Sequence, residues 1–325
     1  MVAEAGSLIN KETKKSGSLN CLPKTFLAAE LQKTSMEYYA QLLLNGIVAG
    51  SVYALFAVGL TMVYGVFRFI NFAHGELIAW GAYIALFFTR SPFSLPVYLA
   101  ALPALAITAL IGLAQDRFVY RKLRHGNRIT LLIASIGLSY LLRNAIRLIW
   151  GSDLQTYGLA PVRGIFFVGL SITPTQIAMM AAAGIFLGIL YFILTRTLLG
   201  KCLRAVADNM TLAQVMGISI KKVSVTVWLL AAVFSAVGGI LLAVDTNLEP
   251  LMGLTNLIKA FAAVLLGGAG NVWGALLGGL FIGIAENIGM AFISPGYKDF
   301  ISFALIVLML LFRPRGIFGI FGGVR

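Results

Sequence analysis

Long stretches without a charged residue constrain this sequence more than any other feature. No Asp, Glu, Lys or Arg occurs at 38–67, 91–115, 164–195, 223–244 or 260–285. A helix needs about 20 mostly apolar residues to cross about 30 Å of hydrocarbon, because each residue adds about 1.5 Å. Each of the five stretches is therefore long enough to span a bilayer.

Shorter apolar runs at 77–89, 129–142 and 300–312 span a bilayer only if flanking polar residues enter it or if their helices are short or broken. With them, the expected number of spans is eight to ten. The runs are continuous, whereas the strands of a membrane barrel alternate apolar and polar residues. The sequence therefore predicts an all-α, polytopic transmembrane helical bundle.

Basic residues are concentrated in three segments between these runs. They are Arg117, Arg121, Lys122, Arg124, Arg128, Arg196, Lys201, Arg204, Lys221, Lys222, Arg313, Arg315 and Arg325. Short loops rich in Lys and Arg stay in the cytoplasm, so these segments are predicted to lie inside and the loops 151–163 and 245–256 outside. The net charge of +13 is thus a sign of topology, and it does not indicate nucleic-acid binding.

Residues 1–35 differ in composition from the rest of the chain. They are polar and lack the apolar run of a signal peptide, so we expect a disordered or non-native extension ahead of a membrane domain at 36–325. The two cysteines, Cys21 and Cys202, do not indicate a disulfide framework.

Polar side chains interrupt the apolar sequence just after the first run. Arg68, Asn71, His74 and Glu76 follow each other closely, and ionisable residues at membrane depth tend to be functional. A polar cytoplasmic turn is the simpler interpretation, with Arg68 following the positive-inside rule. The chain has two histidines, too few for the usual zinc ligand set.

The basic segment 196–222 contains a pattern typical of a short amphipathic helix. Ala205, Leu212, Val215 and Met216 recur at helical spacing, and Gly217 is well placed to end the helix. Such a helix lies in the lipid interface or docks into a groove of a cytoplasmic partner.

Glycines break the last long apolar run. A turn is expected at 267–271 on the cytoplasmic side. The pairs Gly274 with Gly278 and Gly279 with Gly283 have the small-x3-small spacing that lets helices approach closely, so we predict helix packing rather than substrate contact.

Three further charged residues fall within apolar sequence. Arg143 and Arg147 lie near the predicted outer end of a span, where arginines usually reach to the interface, although an anionic ligand could meet them. Glu286 is the stronger functional candidate because it lies about a dozen residues from the nearest expected helix end. The chain lacks a phosphate-binding loop and the motifs H-E-x-x-H and G-x-S-x-G, so an enzyme is not predicted.

Three stretches together resemble the permease subunits of branched-chain amino acid ABC importers, the LivH-type family. They are Leu44-Asn45-Gly46 through Gly59-Leu60-Thr61 to Ile70-Asn71-Phe72-Ala73-His74-Gly75, Arg204-Ala205 through Met216-Gly217-Ile218, and Gly267-Gly268-Ala269-Gly270 with Arg313-Pro314-Arg315-Gly316. The similarity covers nearly the whole chain from Met36 onwards.

This resemblance implies that the middle stretch is the coupling element that contacts an ATP-binding subunit. The coupling residues would be Arg204, Ala205, Asp208, Asn209, Leu212, Ala213, Val215 and Gly217. Ala213 and Gly217 keep the Ala-x3-Gly spacing of the wider importer motif, but Thr211 replaces its acidic residue, so coupling by shape and apolar contact is expected.

The resemblance also implies a role for the polar membrane residues and a set of partners. Candidates for the translocation path are Asn71, His74, Glu76 and Glu286. The partners would be a second related permease, two ATP-binding subunits that hold ATP and magnesium, and a periplasmic or tethered substrate-binding protein at a bacterial inner membrane. Alternatives are a permease for urea or short amides and, from another class, an ion-coupled secondary transporter.

Overall fold

The computed structural model describes residues 24–90, 92–124, 126–159, 163–167, 170–313 and 316–317, with 24–35 described by their backbone only. Twelve α-helices and one small hairpin occur in these ranges. In chain order they are α1 Lys24–Phe67, α2 His74–Thr89, α3 Val97–Gln115, α4 Arg121–Leu123, α5 Arg128–Trp150, β1 Ile165–Phe167, β2 Leu170–Ile172, α6 Pro174–Arg196, α7 Leu198–Asp208, α8 Met210–Val215, α9 Ile220–Asp245, α10 Met252–Gly267, α11 Val272–Gly289 and α12 Lys298–Phe312.

Six helical segments in the described residues are long and apolar enough to cross a membrane. They are Met36–Phe67, Val97–Leu123, Arg128–Trp150, Pro174–Arg196, Ile220–Asp245 and Val272–Gly289. Three more apolar helices, α2, α10 and α12, have only 15 or 16 residues. The all-α, polytopic class is confirmed, and the expected count of eight to ten is reached only when these short helices are included.

The first helix forms the centre of the bundle. Within its apolar window 89% of the residues are buried inside the chain, against 22% for α6 and 28% for the segment Val97–Leu123. Helix α1 packs against α9, α10 and α11, while α3, α5 and α6 present apolar side chains outward. Such outward apolar faces are stable only in contact with lipid or a partner subunit.

Two helix pairs share an unusual geometry. The long helices α1 and α9 are each followed by a link of six residues, at 68–73 and 246–251, and then by a helix of 16 residues. The first turns of these short helices, α2 and α10, cross so closely that a Cβ on Gly75 would lie 2.5 Å from the carbonyl oxygen of Gly253. Broken helices of this kind mark binding or transport regions in membrane proteins.

Local sequence explains where several helices begin. Thr173 and Gln176 form a reciprocal capping box before α6, with Pro174 at its first position. Asn127 caps α5 and Asn271 caps α11. The glycine-rich turn lies between Gly267 and Val272, as expected from the sequence.

Residues at both ends of the chain lie outside the described ranges. Helix α1 begins at Lys24, ahead of the expected domain start at 36, while residues 1–23, with Cys21, lie outside the described residues. Arg315 and Arg325 of the basic tail also lie outside them. The antiparallel pairing of β1 with β2 has no counterpart in the sequence-based prediction.

Candidate functional site

A buried ion pair joins α2 to α5. The Glu76 side chain is fully buried, and its Oε1 accepts hydrogen bonds from Ser139 Oγ at 2.8 Å and from Arg143 Nε at 3.1 Å, with Arg143 Nη2 also in contact. Arg143 is 5% exposed, so the expectation that it reaches to the membrane interface is wrong. The carboxylate of Glu76 lies at the same depth and holds the guanidinium inside the bundle.

The segment that precedes Glu76 is also buried. Asn71 Oδ1 accepts hydrogen bonds from Ala73 N at 3.1 Å and from Tyr120 Oη at 2.8 Å. His74 Nε2 lies 2.9 Å from Ser235 Oγ on α9. Asn71 therefore lies in the link between α1 and α2, His74 and Glu76 lie in the first turn of α2, and all three are buried rather than exposed in a cytoplasmic turn.

Glu286 belongs to a separate charged group, which we call the α10–α12 cluster: Tyr53, Lys259, Glu286, Lys298, Asp299 and Ser302. Tyr53 Oη donates to Glu286 Oε2 at 2.9 Å, and Ser302 Oγ donates to Oε1. Lys259 Nζ lies 3.6 Å from Glu286 Oε2 and 2.9 Å from Asp299 Oδ1. Lys298 Nζ lies 3.9 Å from Glu286 Oε2.

Glu286 lies three residues before the end of α11 at Gly289. The prediction that it lies about a dozen residues from the nearest helix end is therefore wrong. Glu286 is nevertheless fully buried, since α12 folds back over the end of α11. Lys259 was not among the residues predicted from the sequence. In the sequence, Lys259 stands alone directly before the long charge-free run 260–285. A lysine at such a position is expected to be buried and to need an anionic partner.

The basic segment forms two short helices instead of one. Asn209 separates α7 from α8 and accepts a hydrogen bond from Leu212 N at 3.0 Å. Leu203 and Val206 of α7 are buried, whereas Leu212, Val215 and Met216 are 59%, 79% and 75% exposed. The structure thus presents an apolar surface, Leu212–Val215–Met216, on the end of the molecule that carries the basic segments.

The remaining predicted coupling residues have different positions. Ala213 is buried against the chain's own core, so it seats α8 and does not reach outward. Gly217 has φ +82° and follows the last turn of α8, which favours glycine. Arg204 contacts the carbonyl of Leu194, Ala205 accepts a hydrogen bond from Asn209 N at 3.1 Å, and Asp208 is exposed.

A hydrogen bond connects α7 to the link 68–73. Arg68, with φ +54°, donates from Nη2 to the carbonyl oxygen of Ala207 at 2.8 Å. Arg68 begins the segment that leads to Asn71, His74 and Glu76. The side chain of Arg68 thus joins α7 to the start of the segment between α1 and α2.

Four of the five glycines of α11 lie in close contact with α1 or α10. Gly279 and Gly283 face Ala54 and Gly50 of α1, while Gly274 and Gly278 face Gly267 and Ala263 of α10. A Cβ at any of these four positions would overlap the backbone of the facing helix. The glycines thus lie between two central helices.

Charged pairs at membrane depth, broken helices and a multi-pass bundle define the class of membrane transport proteins. Comparison with known proteins narrows this class. Residues 42–310 match the family model for the branched-chain amino acid transport system permease component. The chain belongs to this permease family.

Individual relatives agree with that assignment. The chain is 37% identical over 295 residues to the high-affinity branched-chain amino acid transport system permease protein BraD of Pseudomonas aeruginosa, covering 87% of this chain and 96% of BraD. It is 35% identical to LivH of Escherichia coli, with the same coverage of both chains. Identity to the ribose import permease protein RbsC of Escherichia coli is 27%, over 83% of this chain and 84% of RbsC.

Among solved structures, the chain matches an inward-facing conformation of a putative metal-chelate type ABC transporter. The TM-score is 0.48 at 14% identity, covering 84% of this chain and 85% of that chain.

Proposed function

We propose that the chain forms half of the translocation pore of an ATP-driven importer for branched-chain amino acids in the inner membrane. A second, related permease would supply the other half, two ATP-binding subunits would hold ATP and magnesium, and a periplasmic or tethered binding protein would deliver the amino acid. The family match supports the amino-acid substrate. The observation that carries coupling to ATP-binding subunits is the surface Leu212–Val215–Met216, which is apolar and exposed within the basic segment 196–222.

In this proposal, movement of the ATP-binding subunits is passed to the membrane through α8 and α7. The first step is docking of Leu212, Val215 and Met216 in an apolar cleft of an ATP-binding subunit. The second is transfer of the motion through the bond between Arg68 and Ala207 to the link 68–73. Glu76 and Arg143 would then change their position relative to the pore.

The transport proposal is tested by uptake of labelled leucine into proteoliposomes that contain the chain with its partner subunits. We expect uptake when ATP is enclosed and binding protein is added outside, and none when either is omitted. Uptake by this chain alone under an ion gradient would overturn the proposal in favour of a secondary transporter. ATP-dependent uptake of urea or acetamide, without uptake of leucine, would instead support the alternative of a permease for urea or short amides.

Docking through α8 is tested by charge substitution on its exposed face. Leu212→Asp with Val215→Asp is expected to reduce co-purification of the ATP-binding subunits at least tenfold, because each carboxylate would be buried without a partner. Thr211→Asp with Gln214→Asp is the matched control, since it adds the same two charges at exposed positions of the same helix without removing apolar surface.

Unchanged co-purification with the double variant would show that α8 does not dock on the ATP-binding subunits. It would favour the alternative that α8 lies in the lipid interface. Ala213→Asp is a poorer test, because Ala213 is buried within this chain and its replacement would disturb the seating of α8.

A further inference from the structure

A cavity of about 370 Å³ lies between α1, α6, α9, α10 and the link 246–251. Its mouth is formed by this link, which follows the end of α9 opposite the basic residues Lys221 and Lys222. The positive-inside rule therefore places the mouth on the outer side. Small-molecule sites have volumes of about 300–1,000 Å³, so the cavity has room for one amino acid.

Charges of both signs line the cavity. Lys259 and Lys298 reach it from the α10–α12 cluster, while Asp245 and Glu249 stand at its mouth. Lys259 is held by Asp299 and Glu286, but the nearest carboxylate to Lys298 Nζ in the described residues is at 3.9 Å. Among the described residues, the carboxylates of Asp245 and Glu249 form no ion pair within 4.0 Å. The cavity thus offers one incompletely paired cation and two unpaired carboxylates.

One part of the wall is apolar, whereas Tyr53, Thr255 and Asn256 add polar groups elsewhere. Val52 and Met179 are buried, and Leu242 is half-buried beside them. Val52 lies on α1, Met179 on α6 and Leu242 on α9, so the apolar part of the wall is formed by three helices. An aliphatic group would replace water against this wall, which is favourable in proportion to the apolar area covered.

We propose that this cavity binds a free aliphatic α-amino acid in its zwitterionic form, which rests on the transport function proposed above. The ammonium group pairs with Asp245 and Glu249, the carboxylate pairs with Lys298, and the aliphatic side chain contacts Val52, Met179 and Leu242. The permease therefore contributes its own recognition of the amino acid after the binding protein has released it.

The test uses a single cysteine at Thr255, which lines the cavity, in the complete complex with Cys21 and Cys202 replaced by serine. We expect leucine to slow the alkylation of Thr255→Cys by a membrane-impermeant maleimide. Glycine, which lacks the aliphatic group, and 4-methylpentanoate, which lacks the ammonium group, should protect at least tenfold less at equal concentration. Asp153→Cys in the exposed outer loop is the matched control and should be alkylated at the same rate with or without leucine.

Charge removal provides the second measurement. Asp245→Asn with Glu249→Gln should raise the leucine concentration for half-maximal protection by about tenfold or more, as expected for the loss of charge-assisted hydrogen bonds. Asp153→Asn removes an acidic residue on the same side and should change nothing. Should Thr255→Cys disturb folding, Asn247→Cys at the mouth replaces it.

The outcomes separate this inference from the proposed function. Absence of protection, or equal protection by 4-methylpentanoate, in a complex that takes up leucine with ATP would overturn the cavity assignment and leave the importer proposal intact. Selective protection by leucine in a complex that never takes up leucine would support the cavity and contradict the importer.

Discussion

Glu76→Gln is expected to lower the free energy of unfolding by about 3–5 kcal/mol, the usual loss when one partner of a buried ion pair is removed. The substitution leaves the guanidinium of Arg143 charged and buried in the bundle. Measurement of thermal unfolding of the purified chain in detergent, by loss of the monodisperse peak on size-exclusion chromatography, checks this result.

The reciprocal double variant makes this prediction specific. Glu76→Leu with Arg143→Leu removes both charges and should recover most of the lost stability, because apolar pairs of similar volume replace buried ion pairs well. Asp153→Asn, on the exposed outer loop, is the control and should leave stability unchanged. Equal loss in the single and double variants would show that the two side chains do not act as a pair.

Gly283→Ala is expected to destabilise the chain by about 1–3 kcal/mol, the range for overpacking a close-packed contact. A single methyl group at this position would overlap the backbone of Gly50 on α1, and no side-chain movement can relieve a contact with backbone. Chemical unfolding in a detergent and denaturant mixture would measure the change.

Gly137→Ala is the matched control, because nothing lies within 4 Å of a Cβ at Gly137 on α5. It should be neutral or slightly stabilising, since alanine favours helix more than glycine does. If both variants behave alike, the approach of α11 to α1 is looser than the structure shows.

The membrane-spanning helices could be predicted from the sequence, because insertion into lipid depends on the average polarity of about 20 consecutive residues. The charge-free runs, the basic segments and the turn between Gly267 and Val272 are properties of neighbouring residues, and reading them in order predicted the polytopic class. The two links and the short helices α2 and α10 were harder to predict, since a helix that begins inside the bundle has no apolar run of full span length.

The charged site was predicted only in part because its pairs join residues far apart in the chain. Nothing near Arg143 in the sequence indicates that Glu76 will meet it, and Lys259 meets Glu286 only because α10 and α11 turn back on each other. Ala213 shows the same limit at the surface. The Ala-x3-Gly spacing placed Ala213 among the predicted coupling residues, but which face of α8 is turned inward depends on its packing against α7 and α9.

The hydrogen bonds of the link 68–73 join segments that are translated at different times. Phe72 N donates to Ser135 Oγ at 3.2 Å, and Asn71 accepts from Tyr120. Both partners follow the link in the chain, so these two hydrogen bonds can form only after Tyr120 and Ser135 have been translated. The hydrogen bonding of the link is therefore complete only once α5 is present, so the segments from α1 to α5 depend on one another for their final packing.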